Sequence, residues 1–268
     1  MEKIGLLAGA GRLPVELARE AKALGYEVYA VALLDATDAE LDGIVDDCAH
    51  ISVAKLGKIL SYLKKTKVEK VMMIGKVTKE LMFSGRLIPD FQMIKFIASL
   101  PNRKDDTIML GFVDLLAKEG ITTFDQTILL KRLMPSAGTI TKREPTDEQK
   151  KDMEFGMKMA RELGRWDVGQ TVVVKDLAVM ALEAIEGTDA CIRRGGELAR
   201  GGAVVAKVAK PQQDKRFDVP TVGAETLASM ISVGAKALVI EAGKTLLVER
   251  EKVVELAEKN GITIVAME

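Results

Sequence analysis

A single histidine, His50, stands in a chain of 268 residues. One imidazole cannot build a histidine-rich zinc or two-metal hydrolase site. His50 lies in Cys-Ala-His-Ile-Ser-Val, the start of a strand expected over His50–Val53, where a structural histidine is the simpler reading. Carboxylates must then carry any metal, which favours a hard ion such as Mg²⁺. Cysteine is nearly as scarce. Cys48 and Cys191 lie far apart and fit no metal spacing, which points to a reducing, cytoplasmic interior. Excess charge is also missing, with 39 basic and 39 acidic residues. That balance excludes a broad nucleic-acid footprint, which needs basic residues to neutralise phosphates. No stretch approaches the roughly 20 apolar residues that span a bilayer, and the apolar start Ile4–Ala8 is too short for a signal peptide. The expectation is a cytoplasmic protein whose membrane contact, if any, is peripheral, at the inner membrane.

Apolar residues are plentiful. At 48% hydrophobic, the chain can fill the cores of two domains. Strands are expected at 3–8, 27–33, 50–53, 70–74 and 121–124, and helices at 15–24, 56–65, 92–100 and 105–119. Alternation of this kind predicts a parallel, Rossmann-like sheet over 1–131. Residues 132–146 hold two prolines, a glycine and several hydroxyl residues without periodicity, and read as a linker. Thr146 with Gln149 reads as a capping box opening a helix near 147–163. A second α/β domain is expected over 147–268. Its strands fall near 171–174, 179–184, 203–208, 237–240, 245–248 and 262–265, and its helices near 189–198, 225–232 and 249–259. Residues 179–185 also suit a helix by propensity.

Three clusters carry chemistry. Gly9-Ala-Gly11-Arg12-Leu-Pro14 follows the first strand, where glycines let backbone approach a diphosphate and a helix N-terminus favours an anion. Pro14 replaces the third glycine of the dinucleotide fingerprint, and Asp35 stands where a ribose acid would be expected. The second cluster is Glu186-Gly-Thr188-Asp189-Ala-Cys-Ile-Arg193-Arg194, in which the two arginines cannot face the same way on a helix. The third is Lys210-Pro-Gln-Gln-Asp214-Lys-Arg216-Phe-Asp218-Val-Pro-Thr-Val-Gly223. Its prolines exclude helix, and it follows an apolar strand, at the strand end where open α/β sheets bind ligands. Carboxylates beside lysine and arginine there can hold a metal and a phosphate side by side. The apolar stretch 81–97 covers more than one helix face and suits alkyl chains.

The segments 6–14, 183–190 and 210–223 resemble one family, the histidine-independent type of UDP-2,3-diacylglucosamine pyrophosphatase from lipid A biosynthesis. The resemblance runs nearly the whole length. It implies two domains with substrate between them, in a Gram-negative-type bacterium, and Mg²⁺-dependent cleavage of UDP-2,3-diacylglucosamine to UMP and 2,3-diacylglucosamine 1-phosphate. On that reading Asp214 and Asp218 are metal ligands or the water-orienting base, with Asp189 and Glu186 in support. Lys210, Arg216 and Arg193 or Arg194 clamp phosphate beside Thr188, while Gly9, Gly11 and Arg12 contact the nucleotide or diphosphate. The partners implied are the substrate and its lipid product, and a homodimer stays open. The departure is Lys175-Asp176-Leu177, where a hairpin glycine would be usual. Two rivals remain: a nicotinamide-dependent oxidoreductase built on the Gly9 turn, and a non-catalytic protein that holds a nucleotide sugar or lipid.

Overall fold

The computed structural model describes residues 2–77 and 87–268. The chain divides into two compact units, the first Met1–Leu130 with Lys215–Phe217 and the second Lys131–Asp214 with Asp218–Glu268.

In the first unit, β1 (Lys3–Ala8), β2 (Glu27–Ala32), β3 (Asp47–His50), β4 (Lys70–Ile74) and β5 (Thr122–Thr123) form one sheet in the order β3-β2-β1-β4-β5. Every pairing is parallel. Side chains alternate across this sheet. Leu7, Val31, Val71 and Met73 pack in one core with α2 (Leu56–Lys65), α3 (Phe91–Ser99) and α4 (Asp105–Lys118). Helix α1 (Leu13–Ala23) buries Val15, Leu17, Ala18 and Ala21, spaced to make one face. Burying each larger side chain contributes about 1.5–3 kcal/mol. A short α5 (Thr127–Leu130) ends the unit. The expected third strand is displaced: pairing runs over Asp47–His50 rather than 50–53. The cause is Asp46, whose carboxylate accepts from Val28 N at 2.7 Å while its own N–H donates to Val28 O at 2.9 Å, so the register is set before the apolar Ile51–Val53.

The second unit carries a six-stranded mixed sheet in the order β6-β13-β11-β9-β7-β8. The strands are β6 (Gly138–Thr139), β7 (Thr171–Lys175), β8 (Ala178–Leu182), β9 (Val204–Lys207), β11 (Ala237–Glu241) and β13 (Thr263–Met267). A separate parallel pair joins β10 (Thr221–Val222) to β12 (Leu246–Leu247). Helix α6 (Asp147–Arg165) lies on one face with Val172, Val174, Val204, Ala206 and Val239. Val173, Val205, Leu238 and Ile240 turn to the other face, in a core they share with residues of α7 (Thr188–Ala199), α8 (Ala224–Ser232) and α9 (Arg250–Asn260). The capping box is formed: Gln149 N donates to Thr146 Oγ1 at 3.2 Å and Thr146 N to Gln149 Oε1 at 3.1 Å.

Residues 179–185 are not helical; β8 pairs antiparallel with β7. The hairpin between them needs no glycine. Asp176 (φ 52°) and Leu177 (φ 58°) both take the left-handed conformation that such a turn requires. Their N–H groups donate to the buried carboxylate of Asp152 on α6, at 3.0 and 2.7 Å. Two charge-assisted bonds offset a local strain that glycine would have avoided. No helix among the described residues is long and apolar enough to cross a membrane.

Candidate active site

Lys207 ends β9 and Glu241 ends the parallel neighbour β11; Thr171, at the start of antiparallel β7, lies opposite Lys207. The Glu183–Gly187 turn after β8 and the 208–223 loop after β9 leave from this same sheet edge. This is the carboxyl edge of the parallel strands, where open α/β sheets hold ligands.

The edge has a polar floor. Lys207 is only 6% exposed and Glu183 only 7%, values that a charged residue reaches only with partners. Lys207 Nζ donates to Thr221 O at 2.9 Å and to Thr188 Oγ1 at 3.2 Å. Thr188 in turn donates its hydroxyl proton to Glu183 Oε1 at 3.1 Å, with Thr171 Oγ1 3.3 Å away. Gln170 N also donates to Glu183, at 3.3 Å. Glu241 Oε2 accepts from Ala209 N at 3.0 Å and Oε1 from Lys244 Nζ at 2.8 Å, which fixes the start of the 208–223 loop. Burial first, then the Glu183 charge, pushes the Cys191 thiol up to about 12, so it is an inert core group.

Helices α7 and α8 begin at Gly187 and Gly223, and neither has a side-chain cap. Their first-turn N–H groups are the kind of donors an anion takes up. Two further glycines let α7 pack closely: a Cβ on Gly195 would come within 2.5 Å of Val173, and one on Gly196 within 2.1 Å of Val233.

The predicted residues fall into three groups. In the second unit, Asp189 Oδ1 accepts from Ser229 Oγ at 3.1 Å, and Ser229 accepts from Arg193 Nη1 at 2.9 Å. Arg194 turns the other way, to Leu182 O at 2.8 Å and to Glu186, whose carboxyl it holds below the usual range. Lys210 donates to Asp167 Oδ1 at 2.8 Å, and its backbone N–H to Gln213 Oε1 at 3.0 Å. Asp218 N donates to Asp214 O at 2.8 Å, so these two aspartates sit on a single tight turn. Arg216 belongs to the first unit.

In the first unit, Gly9 and Gly11 form the turn after β1. A Cβ on Gly9 would meet the backbone of Gly75 and Lys76 at 2.8 Å, and Gly11 has φ +96°. Thr37 Oγ1 closes the turn by donating to Ala8 O at 3.2 Å. Arg12 is engaged with three carboxylates: Glu16 at 3.6 Å, Asp38 at 3.1 Å, and Glu40 in a closer contact. Glu40 above all raises the Arg12 pKa, and Arg12 holds the Glu40 carboxyl below its ordinary value. Asp35 lies in an exposed turn after β2.

Of the apolar stretch 81–97, residues 81–86 lie outside the described residues. The remainder flanks a cavity of about 300 Å³ lined by Val53, Leu87, Pro89, Met93, Ile94 and Ile97, with Arg103 among its walls. Phe91, 80% exposed, and Ile88, 76% exposed, add apolar surface on the same stretch.

Asp189, Asp214 and Asp218 are not gathered into a three-carboxylate cluster among the described residues. Their donor chemistry nonetheless fits Mg²⁺, which takes one or two carboxylates and fills its octahedron with waters and substrate phosphates. Lys207, Glu183, Thr171, Glu241 and Ser229 join the candidate site by their hydrogen bonds, and reading the sequence alone does not give them a role. The available signal was a lysine interrupting the apolar run Ala203–Val208.

Comparison with known proteins gives a consistent result. The model of the LpxI N-terminal domain matches residues 3–133, and that of the LpxI C-terminal domain matches residues 136–265. The UDP-2,3-diacylglucosamine pyrophosphatase LpxI of Caulobacter vibrioides is 34% identical over 279 residues, which cover 100% of this chain and 98% of the relative. Among solved structures, a UDP-galactose 4-epimerase aligns with 44% of this chain and 35% of its own, at 17% identity and a TM-score of 0.27. A biotin carboxylase from Campylobacter jejuni aligns with 66% and 36%, at 12% identity and a TM-score of 0.29. Likenesses so partial carry no argument. Matched along nearly its whole length by both domain models and by a full-length relative, this chain belongs to the LpxI family.

Proposed function

We propose that this protein is a Mg²⁺-dependent UDP-2,3-diacylglucosamine pyrophosphatase of lipid A biosynthesis. In this reading water cleaves the diphosphate to UMP and 2,3-diacylglucosamine 1-phosphate. The observation that carries it is the assembly, at one sheet edge, of residues 183–189, 208–214 and 218–223 over a buried Lys207–Thr188–Glu183 relay. These are the segments whose residues resemble the pyrophosphatase family, and the full-length relative acts on that substrate by its name.

The chemistry follows from charge. Hydrolysis of a pyrophosphate builds charge on phosphoryl oxygens, so catalysis is mainly positioning and electrostatic stabilisation. Mg²⁺, when bound, would neutralise the diphosphate and lower the pKa of a bound water. Asp214 and Asp218 are the residues to hold it or to orient the attacking water, with Asp189 in support. The uncapped N-termini of α7 and α8 receive phosphate oxygens, flanked by Lys210 and Arg193, and Arg216 is a further cation for the diphosphate. Lys207 is a positioning residue: it fixes Thr188 and the Thr221 carbonyl, hence the start of α7 and the end of the loop. The Gly9–Gly11 turn approaches the nucleotide as backbone, while Arg12 keeps its carboxylates and holds the turn in shape. The cavity around Met93 and Ile97 takes acyl chain.

The test is UMP release from UDP-2,3-diacylglucosamine by purified protein, with Mg²⁺ and with EDTA. Turnover should require Mg²⁺, and Asp214→Ala or Asp218→Ala should lower it about 100-fold or more. Substrate binding without UMP release in either condition would instead establish a non-catalytic binding protein. Near-normal turnover in both variants would overturn the aspartate assignment.

A further inference from the structure

A second group of ligating side chains lies elsewhere, at the outer edge of the first unit's sheet. Cys48 and His50 are alternate residues of β3, so both side chains leave the same face of the strand. Asp42 comes from the 3₁₀ turn Ala39–Gly43 that precedes it. His50 Nε2 stands 3.1 Å from both Asp42 oxygens. The ligating atoms of Asp42, Cys48 and His50 all lie within 4.8 Å of one another.

Two features favour a metal over an ordinary surface hydrogen bond. The donor set is nitrogen, sulfur and oxygen, the set borderline-soft divalent ions select. Metal–ligand bonds of about 2.0–2.3 Å place tetrahedral ligand atoms about 3.3–3.7 Å apart, so closure from within 4.8 Å needs a contraction of about 1.5 Å at most.

We propose that Asp42, Cys48 and His50 bind one zinc-class divalent ion, with water in the fourth position. Binding replaces the thiol proton: the S–H bond breaks, an S–metal bond forms, and one proton goes to solvent. The ion would tie β3 to the turn that also carries Glu40, a partner of Arg12. Its role is then to stiffen the frame of the Gly9–Gly11 turn, separately from the Mg²⁺ of the proposed reaction.

Metal-free full-length protein should be titrated with Co²⁺, followed by Zn²⁺ competition. The expected result is a thiolate-to-cobalt charge-transfer band saturating at one ion per chain, bleached by Zn²⁺, with release of about one proton. Cys48→Ser should abolish the band, and Cys191→Ser should leave it. His50→Gln and Asp42→Asn should each weaken Co²⁺ binding about tenfold or more. A wild-type protein with no thiolate band at millimolar Co²⁺, or a band that survives Cys48→Ser, would overturn the site.

Discussion

Arg12 and Lys207 are both basic residues at the carboxyl end of a parallel strand, yet their surroundings are opposite. Arg12 is partly exposed and engages three carboxylates, one on its own helix and two in the turn after β2. Lys207 is 6% exposed and donates to the hydroxyl of Thr188, which begins α7, and to the carbonyl of Thr221, near the end of the 208–223 loop. A cation beside a glycine turn is therefore not in itself an anion site. What differs is what each cation fixes: Arg12 braces the carboxylates around its own turn, whereas Lys207 fixes the start of α7 and the end of the 208–223 loop.

The comparison can be broken experimentally. Lys207→Met should have the largest effect, lowering kcat for UMP release about 100-fold or more while KM changes little. An effect confined to KM would remove Lys207 from the positioning role. Asp152→Ala comes next. Asp152 is a buried charge with a purely structural duty, so its loss should cost about 2–3 kcal/mol in urea unfolding. Turnover of the folded fraction should hold, and a loss of kcat there would show that burial alone marks function in this unit. Arg12→Met should have the smallest effect, with turnover within about threefold and Tm within about 2 °C, as expected of exposed ion pairs. Loss of activity in that variant would restore Arg12 as a ligand contact.

Much of the fold was legible because periodicity was strong. The helix at Leu56–Lys65 and the strands at Lys70–Ile74 and Lys3–Ala8 fall where the apolar pattern placed them. β3 did not, because it contributes no fully buried side chain and its register is set by the polar Asp46. The two-residue strands β6 and β10 are too short to show any period, whereas β12 falls inside the strand expected at 245–248. The charged loop at 210–223 stood out by composition. The floor beneath it did not, since nothing local shows that Lys207 and Glu183 are buried; that depends on the pairing of β9 with β7 across distant sequence. The Asp176–Leu177 turn was obscure for the same reason: its support comes from Asp152, more than twenty residues upstream.

The short strand β6 bears on how this chain can be cut. Gly138 and Thr139 pair with Ala266 and Val265, Ile140 N donates to Ile264 O at 2.8 Å, and Thr141 Oγ1 accepts from the buried Ile264 N at 3.1 Å. The segment before α6 thus closes the edge that the last strand would otherwise present. A fragment begun at Asp147 would carry β13 with an unpaired hydrophobic rim, an invitation to edge-to-edge association. During synthesis the same seam joins the earliest residues of the second unit to its last ones. That unit must therefore wait until β13 is made before its sheet can be sealed.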